Sequence, residues 1–255
     1  MNLVLRGVEF AYPSVPVLKG VSCELNGGEM VALVGKNGSG KSTLMKCMNR
    51  ILEYQGGAIV AQQEEVRGMS RIDIARKMAY HPQKTFFNFP VTVFDTILMG
   101  RYPHRGMESG HEGEERAWEV LKMMNLESLA LRDYNEISGG QQQKVIIARA
   151  LAQEARILLL DEPTSDLDIR YQLEVMKTIR KSVKKKGLLA IVAIHDLNLA
   201  SRYCDRIVML SDGVIVSAGK PRDVFTPENI AGVYGVDASV GEHEGVLHII
   251  SKNPI

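Results

Sequence analysis

The chain has 255 residues, 45% hydrophobic and 24% charged, which suits a large buried core in one large domain or two small ones. A formal net charge of +1 argues against nucleic-acid binding by bulk charge, and no run approaches the ~18 apolar residues of a membrane helix. With no signal-peptide layout at the start and three scattered cysteines (Cys23, Cys47, Cys204) lacking metal-ligand spacing, the expectation is a reduced, cytoplasmic protein that is soluble on its own and reaches a membrane only through a partner.

Leu3 to Phe10 alternates as a strand, and Gly20 to Leu25 and Met30 to Val34 read as two more, joined at Asn26-Gly27-Gly28. Tyr12 stands just before a turn, where it either stacks on a ring such as adenine or packs locally. After the apolar run Met30–Val34 comes Gly35-Lys36-Asn37-Gly38-Ser39-Gly40-Lys41-Ser42, then a helical pattern from Thr43 to Arg50. Strand, glycine loop and helix form the context of a phosphate-binding loop. Successive backbone N–H groups wrap a phosphate only where the chain turns tightly and carries little bulk, which Gly35, Gly38 and Gly40 permit. The following helix adds unpaired N–H groups and the positive end of its dipole. Lys41 can reach the β- and γ-phosphates, and Ser42 can place its hydroxyl on Mg²⁺. Asn37, Ser39 and Thr43 complete the nucleotide-binding stretch.

Gly56 to Val60 starts another strand. Arg71 to Lys77 reads as a helix, and Met78 to His81 as a short strand ending at Pro82-Gln83. From Lys84 to Pro103 the character changes: Phe86, Phe87 and Phe89 precede an apolar-faced helix near Pro90–Gly100. That pattern fits either a partner-binding surface or a local core under a loop. Tyr102 to Glu115 is expected to be a polar surface loop, with His104 and His111 solvent-exposed rather than metal-bound. Arg116 to Met124 has helical period with Trp118, Leu121 and Met124 on one face, and Leu126 to Leu131 continues it. Ser138-Gly139-Gly140-Gln141 opens a helix running to Ala152, either as a second anion site or as an ordinary N-cap by Ser138.

Ile157-Leu158-Leu159-Leu160 is a strand buried on both faces, and Asp161 and Glu162 sit at its carboxyl end, where open α/β sheets bind ligands. Asp161 can hold Mg²⁺, and Glu162 can orient or deprotonate an attacking water. Thr164 to Asp168 is a tight polar turn before a helix from Ile169 to Lys185. Its Lys184-Lys185-Lys186-Gly187 end suits a helix C-terminus. Leu188 to Ile194 is a second fully apolar strand, ending at His195, which can reach the same crevice. Leu197 to Tyr203 is a helix. Arg206–Leu210 and Val214–Val216 form a hairpin through Ser211-Asp212-Gly213. One helical piece, Pro221 to Val233, and a strand, Val246 to Ile250, end the chain.

Together these motifs resemble the ATP-binding subunits of ABC transporters, and the resemblance covers nearly the whole chain. GKNGSGKS matches the Walker A loop and Pro82-Gln83 falls at the Q-loop. ISGGQ matches the signature, with Ile137 for the usual leucine. ILLLDEP matches Walker B with its catalytic glutamate. TSDLD is similar to the D-loop, with an unusual Asp166, and AIHDL carries the switch histidine His195. The resemblance implies an α/β fold. A RecA-like P-loop core with an antiparallel β part (1–83 and 154–255) would flank a helical subdomain (84–153) carrying the signature. It implies a head-to-tail dimer in which Ser138, Gly139, Gly140 and Gln141 of one copy close on the ATP held by the other. It gives Tyr12 the adenine, Gln83 contact with Mg²⁺ and the attacking water, His195 the γ-phosphate, and Asp168 the dimer interface. Lys41, Gln83, Glu162 and His195 would be catalytic; Ser42, Gln83 and Asp161 would hold the metal.

Thr92-Val93, Met99 to His104 and the tail are similar to importer ATPases for iron–siderophore complexes, haem and vitamin B12. There the surface after the Q-loop meets the membrane permease, and a substrate-binding protein delivers cargo. A soluble ABC-type ATPase outside transport, as in iron–sulfur cluster assembly, shares the motifs.

Overall fold

In a computed structural model, which describes residues 2–83, 85–108, 110–165 and 167–255, the chain opens with strands β1 (Asn2–Tyr12) and β2 (Val15–Asn26). The second strand begins earlier than its alternation suggests. It tolerates Pro16 because it lies at the edge of its sheet, where a missing N–H costs no ladder bond. The Asn26-Gly27-Gly28 turn is not a hairpin. Strand β3 (Met30–Val34) leaves the first sheet and enters another, with Gly28 N donating to Leu188 O at 2.8 Å. All five of its residues are buried, so it needs a neighbour on each side and cover on both faces.

Helix α1 (Lys41–Met48) follows, then β4 (Gly56–Ala61) and β5 (Glu64–Glu65). The antiparallel sheet runs β2-β1-β4-β5. Helix α2 (Arg71–Lys77) leads into β6 (Met78–His81). Among the described residues, the chain from β6 to the next strand holds helices, turns and a lone bridge between Thr92 and Asp133. Helix α3 (Val93–Leu98) is capped by Thr92, whose Oγ1 accepts from Asp95 N at 3.0 Å. The expected loop is instead a 3₁₀ turn, Met99–His104, followed by α4 (Gly110–Met123). Its buried stripe includes Ala117, Val120 and Leu121, continued by Met124 just past its end; Trp118 lies outside it, its ring 5.1 Å from Phe94. Asn125, at φ +54°, ends the helical course, so Leu126–Leu131 forms a separate 3₁₀ turn at Glu127–Leu129 rather than a continuation. Helix α5 (Gly139–Ala152) starts at the glycines, six residues before its first apolar residue, Val145.

The second half supplies β7 (Ile157–Asp161), α6 (Ile169–Lys186), β8 (Leu189–Ala193), α7 (Leu197–Tyr203), β9 (Arg206–Ser211) and β10 (Val214–Gly219). Gly187, at φ +64°, ends α6 as its lysine-rich last turn predicts. The six-stranded sheet has the order β10-β9-β3-β8-β7-β6, parallel except for the β9–β10 hairpin. Alternate residues of its central strands enter two cores. Val31, Leu33, Leu159 and Ile191 pack toward α1 and the antiparallel sheet; Ala32, Val34, Leu158 and Val192 pack toward α5, α6 and α7. The tail is two helices, α8 (Pro221–Val224) and α9 (Pro227–Tyr234), because Pro227 takes the first helical position of a new helix. It ends in an antiparallel pair, β11 (Val236–His243) and β12 (Val246–Pro254), of which the sequence pattern indicates only the second. No described helix is long and apolar enough to cross a membrane.

Candidate nucleotide site

The carboxyl ends of β3, β6, β7 and β8 lie side by side in the parallel part of the sheet, so residues far apart in sequence converge at one edge. The glycine loop leaves β3 there. A Cβ on Gly35 would lie 2.1 Å from Leu210 O, so the loop passes β9 at a distance only glycine allows. Gly38 (φ +79°) and Gly40 (φ +103°) take left-handed conformations, and Gly40 caps α1 without a side-chain bond. Helix α1 thus presents open N–H groups to the loop's concave side. The loop is braced from behind by the β9–β10 turn, where Asp212 pairs with Lys36 at 3.3 Å and Gly213 N donates to Ser39 O at 3.3 Å.

Lys41 is buried, and its Nζ donates to Gly35 O at 2.7 Å and Lys36 O at 3.0 Å. Burial lowers its pKa, against the opposing pull of Glu162 and Asp161. The ammonium folded onto its own loop is placed to turn to a phosphate. Ser39 Oγ is buried without a hydrogen-bond partner, and Asn37 is exposed. Thr43 is buried in the first turn of α1.

Asp161 is 2% exposed. It accepts from Ser42 Oγ at 2.9 Å and from Tyr80 OH at 3.2 Å. Burial raises its pKa, and the bonds from Ser42 and Tyr80 oppose that rise. A carboxyl whose folded pKa is raised loses stability as pH rises through the window above its ordinary value. Asp161 is therefore short of positive charge at neutral pH. A buried carboxylate beside a hydroxyl is a hard-oxygen pair suited to a divalent cation such as Mg²⁺. Tyr80 is a site residue that sequence reading missed. Its only signal was alternation along β6, which places it opposite Leu159 in register.

Glu162 has φ +50°, an uncommon backbone for a non-glycine residue, often met at functional positions. Both of its carboxylate oxygens are engaged. Gln83 Nε2 donates to Oε2 at 2.7 Å, and His195 Nε2 lies 2.6 Å from Oε1. Three residues from three strand ends, 79 and 33 positions from Glu162, thus form one polar arch beside the phosphate loop.

Among the described residues, the other sequence-predicted residues make no hydrogen bond to this cluster, although Gly139 and Gln83 line one pocket. Tyr12 is half exposed, edge-on to Phe10 at 4.9 Å, over a groove that includes Pro16 and Leu18. Leu18 Cδ2 would be 3.0 Å from a Cβ on Gly40, so the groove runs up to the phosphate loop. Ser138 and Gln141 form a capping box: Gln141 N donates to Ser138 Oγ at 3.4 Å and Ser138 N donates to Gln141 Oε1 at 3.0 Å. Gly139 is exposed and Gly140 faces Tyr171 and Leu167. Among the described residues, no hydrogen bond joins 138–141 to the phosphate loop. Asp168 caps α6 by accepting from Tyr171 N at 3.0 Å, while Asp166 lies outside the described residues. Of the two questioned histidines, His111 is exposed, but His104 is half-buried with Nε2 2.8 Å from Gln153 O. No cluster of three or more metal-ligating side chains occurs among the described residues.

A parallel sheet, a glycine loop feeding a helix N-terminus, a lysine within it and an acidic strand end define a P-loop nucleotide-binding α/β protein. The family model described as ABC transporter matches residues 18–165. An uncharacterized ABC transporter ATP-binding protein of Methanocaldococcus jannaschii is 49% identical over 250 residues, covering 98% of each chain. The hemin import ATP-binding protein HmuV of Bordetella pertussis is 36% identical over 251 residues, covering 95% of each. A chain of a metal-chelate type ABC transporter, solved in an inward-facing conformation, superposes with a TM-score of 0.85 at 26% identity over 98% of this chain and 97% of that one. The chain belongs to the ABC transporter family as an ATP-binding, ATP-hydrolysing member.

Proposed function

We propose that this ATPase drives an importer for a metal chelate, such as an iron–siderophore complex or haem, or for cobalamin, as a peripheral subunit on the cytoplasmic face of a membrane permease. The likeness to a hemin import protein and to a metal-chelate type transporter supports the cargo class. In this reading residues 84–153 act as a helical subdomain.

Two copies meet head to tail, and Ser138 to Gln141 of one close on the ATP held by Gly35 to Thr43 of the other. The absence of any hydrogen bond between those stretches within one chain supports this arrangement. Tyr12 stacks on adenine, Lys41 neutralises the β/γ-phosphates, and Asp168 borders the dimer seam. Glu162 takes a proton from water as the water oxygen bonds to the γ-phosphorus. The bond from that phosphorus to the bridging oxygen breaks, leaving ADP and phosphate. Gln83 and His195 release Glu162 to water and γ-phosphate. Ser42, Asp161 and Gln83 would hold Mg²⁺, which when bound supplies charge neutralisation at the phosphate oxygens.

The observation that carries the transport reading is the segment after Gln83. Phe86 is 80% exposed and Phe89 56%, and farther along the same segment Met99 and Tyr102 are exposed as well. Phe87 differs: it is anchored edge-on to Tyr134 at 5.1 Å and packs on the core. Phe86 and Phe89, with Met99 and Tyr102 farther along the segment, therefore form the surface for a permease, and Phe87 anchors its first part. Replacing Phe86 and Phe89 with Ser is expected to abolish co-purification with the permease while the melting temperature stays within a few degrees, since surface substitutions cost little. Co-purification at the parent level would remove this surface from the account.

A further inference from the structure

The last four carbonyls of a helix lack intrahelical partners, and water or a glycine cap usually serves them. At the end of α5 the partners come instead from the Met99–His104 turn. Arg101 is 4% exposed, and its Nη1 donates to Ala152 O at 2.5 Å and to Glu154 Oε2 at 2.9 Å. The rest of its fork is held by Glu108, through Nε at 3.3 Å and through Nη2. His104 Nε2 lies 2.8 Å from Gln153 O. Gly100 lies flush on the same helix: a Cβ there would be 2.3 Å from Arg149 O. The turn and the helix end are therefore joined as one closely packed piece.

That piece is also tied to the core. Arg76 Nε donates to Pro103 O at 2.9 Å, and Gln153 Nε2 donates to Ala75 O at 2.5 Å and Met78 O at 3.0 Å. Met78 starts the short strand β6, whose far end leads to Gln83. The outer face of the turn carries exposed Met99 and Tyr102. At its other end α5, 14 residues long and so roughly 20 Å, carries Ser138 to Gly140. One joint thus connects an exposed apolar surface to both elements that approach the γ-phosphate.

We propose that Arg101 is a positioning residue for partner-coupled hydrolysis, transmitting the seating of a permease on Met99 and Tyr102 to the N-terminus of α5. The inference rests on the permease reading above. Its distinguishing claim is that Arg101 governs stimulation by the partner and not chemistry in the isolated chain.

The test compares ATPase rates of the purified chain and of the membrane complex that co-purifies with it, for the parent, Arg101→Met and Glu108→Gln. Coupling energies between sites typically correspond to 5- to 150-fold effects. Arg101→Met is expected to lower stimulation by the complex about tenfold, with the isolated rate within about twofold of the parent and co-purification retained. Glu108→Gln, which keeps the guanidinium and weakens its fork, is expected to lower stimulation about threefold, and it serves if Arg101→Met fails to fold. Undiminished stimulation in either variant overturns the role of Arg101 while leaving the permease reading intact. Equal losses in isolated and complexed rates show a merely structural residue and also overturn it. If the parent chain captures no membrane complex, the permease reading fails and the inference falls with it.

Discussion

The Glu162→Gln chain is expected to lose ATP turnover by a factor on the order of 10²–10⁴, the usual worth of a positioned general base, while binding ATP as the parent does. The geometry separates the two effects. Glu162 is not part of the glycine loop; it stands close to Lys41 beside that loop, its oxygens held by Gln83 and His195 at 2.7 and 2.6 Å. A glutamine side chain fills the same space and still accepts one of those bonds, but it cannot take a proton from water. On the proposed head-to-tail dimer, ATP is expected to persist and closed dimers to accumulate, since hydrolysis is the step that releases them. Single-turnover hydrolysis with parallel nucleotide titration checks this. Steady-state turnover near the parent rate would remove Glu162 from the role of base.

Lys41→Ala is expected to weaken ATP binding by roughly ten- to a hundred-fold, as befits loss of hydrogen bonds to a charged partner worth about 1.5–3 kcal/mol. The side chain is buried and bonded to two carbonyls of its own loop, so it is already ordered and loses little further freedom on meeting phosphate. The loop is held in shape by Gly35 against Leu210 O and by Asp212 on Lys36, contacts that Lys41 does not make, so the fold should survive. Unchanged affinity in a binding titration would contradict the assignment of the loop.

What could be read from the sequence follows from how local each constraint is. Phosphate binding needs glycines, a lysine and a hydroxyl within one turn of chain, so Gly35 to Ser42 is legible by itself. Asp161 and Glu162 are legible because a buried apolar strand leads directly to them. That Glu162 and His195 share one crevice is legible because each follows a buried apolar strand, whereas Gln83 joining them depends on sheet order and could be expected only through the resemblance to a family. Tyr80 and Asp212 escaped for the same reason, since each becomes a site residue only when β6 lies beside β7 and β9 beside β3. His104 reads as a surface residue because Tyr102 to Glu115 is polar, and nothing local marks Arg101; the carbonyls that hold both lie at the end of a helix 49 or more positions on. The Asn26-Gly27-Gly28 turn misled because turn chemistry does not say whether the next strand joins the same sheet.

The central claim is that one chain carries half a site, completed by Ser138 to Gln141 of a second copy. Gly139 has open space where a side chain would project, and an aspartate at that first helical position suits the helix dipole while repelling a phosphate. ATPase assays of Gly139→Asp, of Lys41→Ala and of an equal mixture test the claim directly. Each variant alone should be inactive. The mixture should recover about a quarter of parent activity, because half of the randomly paired dimers are mixed and each mixed dimer holds one intact site of two. Full turnover by Gly139→Asp alone would contradict the claim, since the site would then be complete within a single chain.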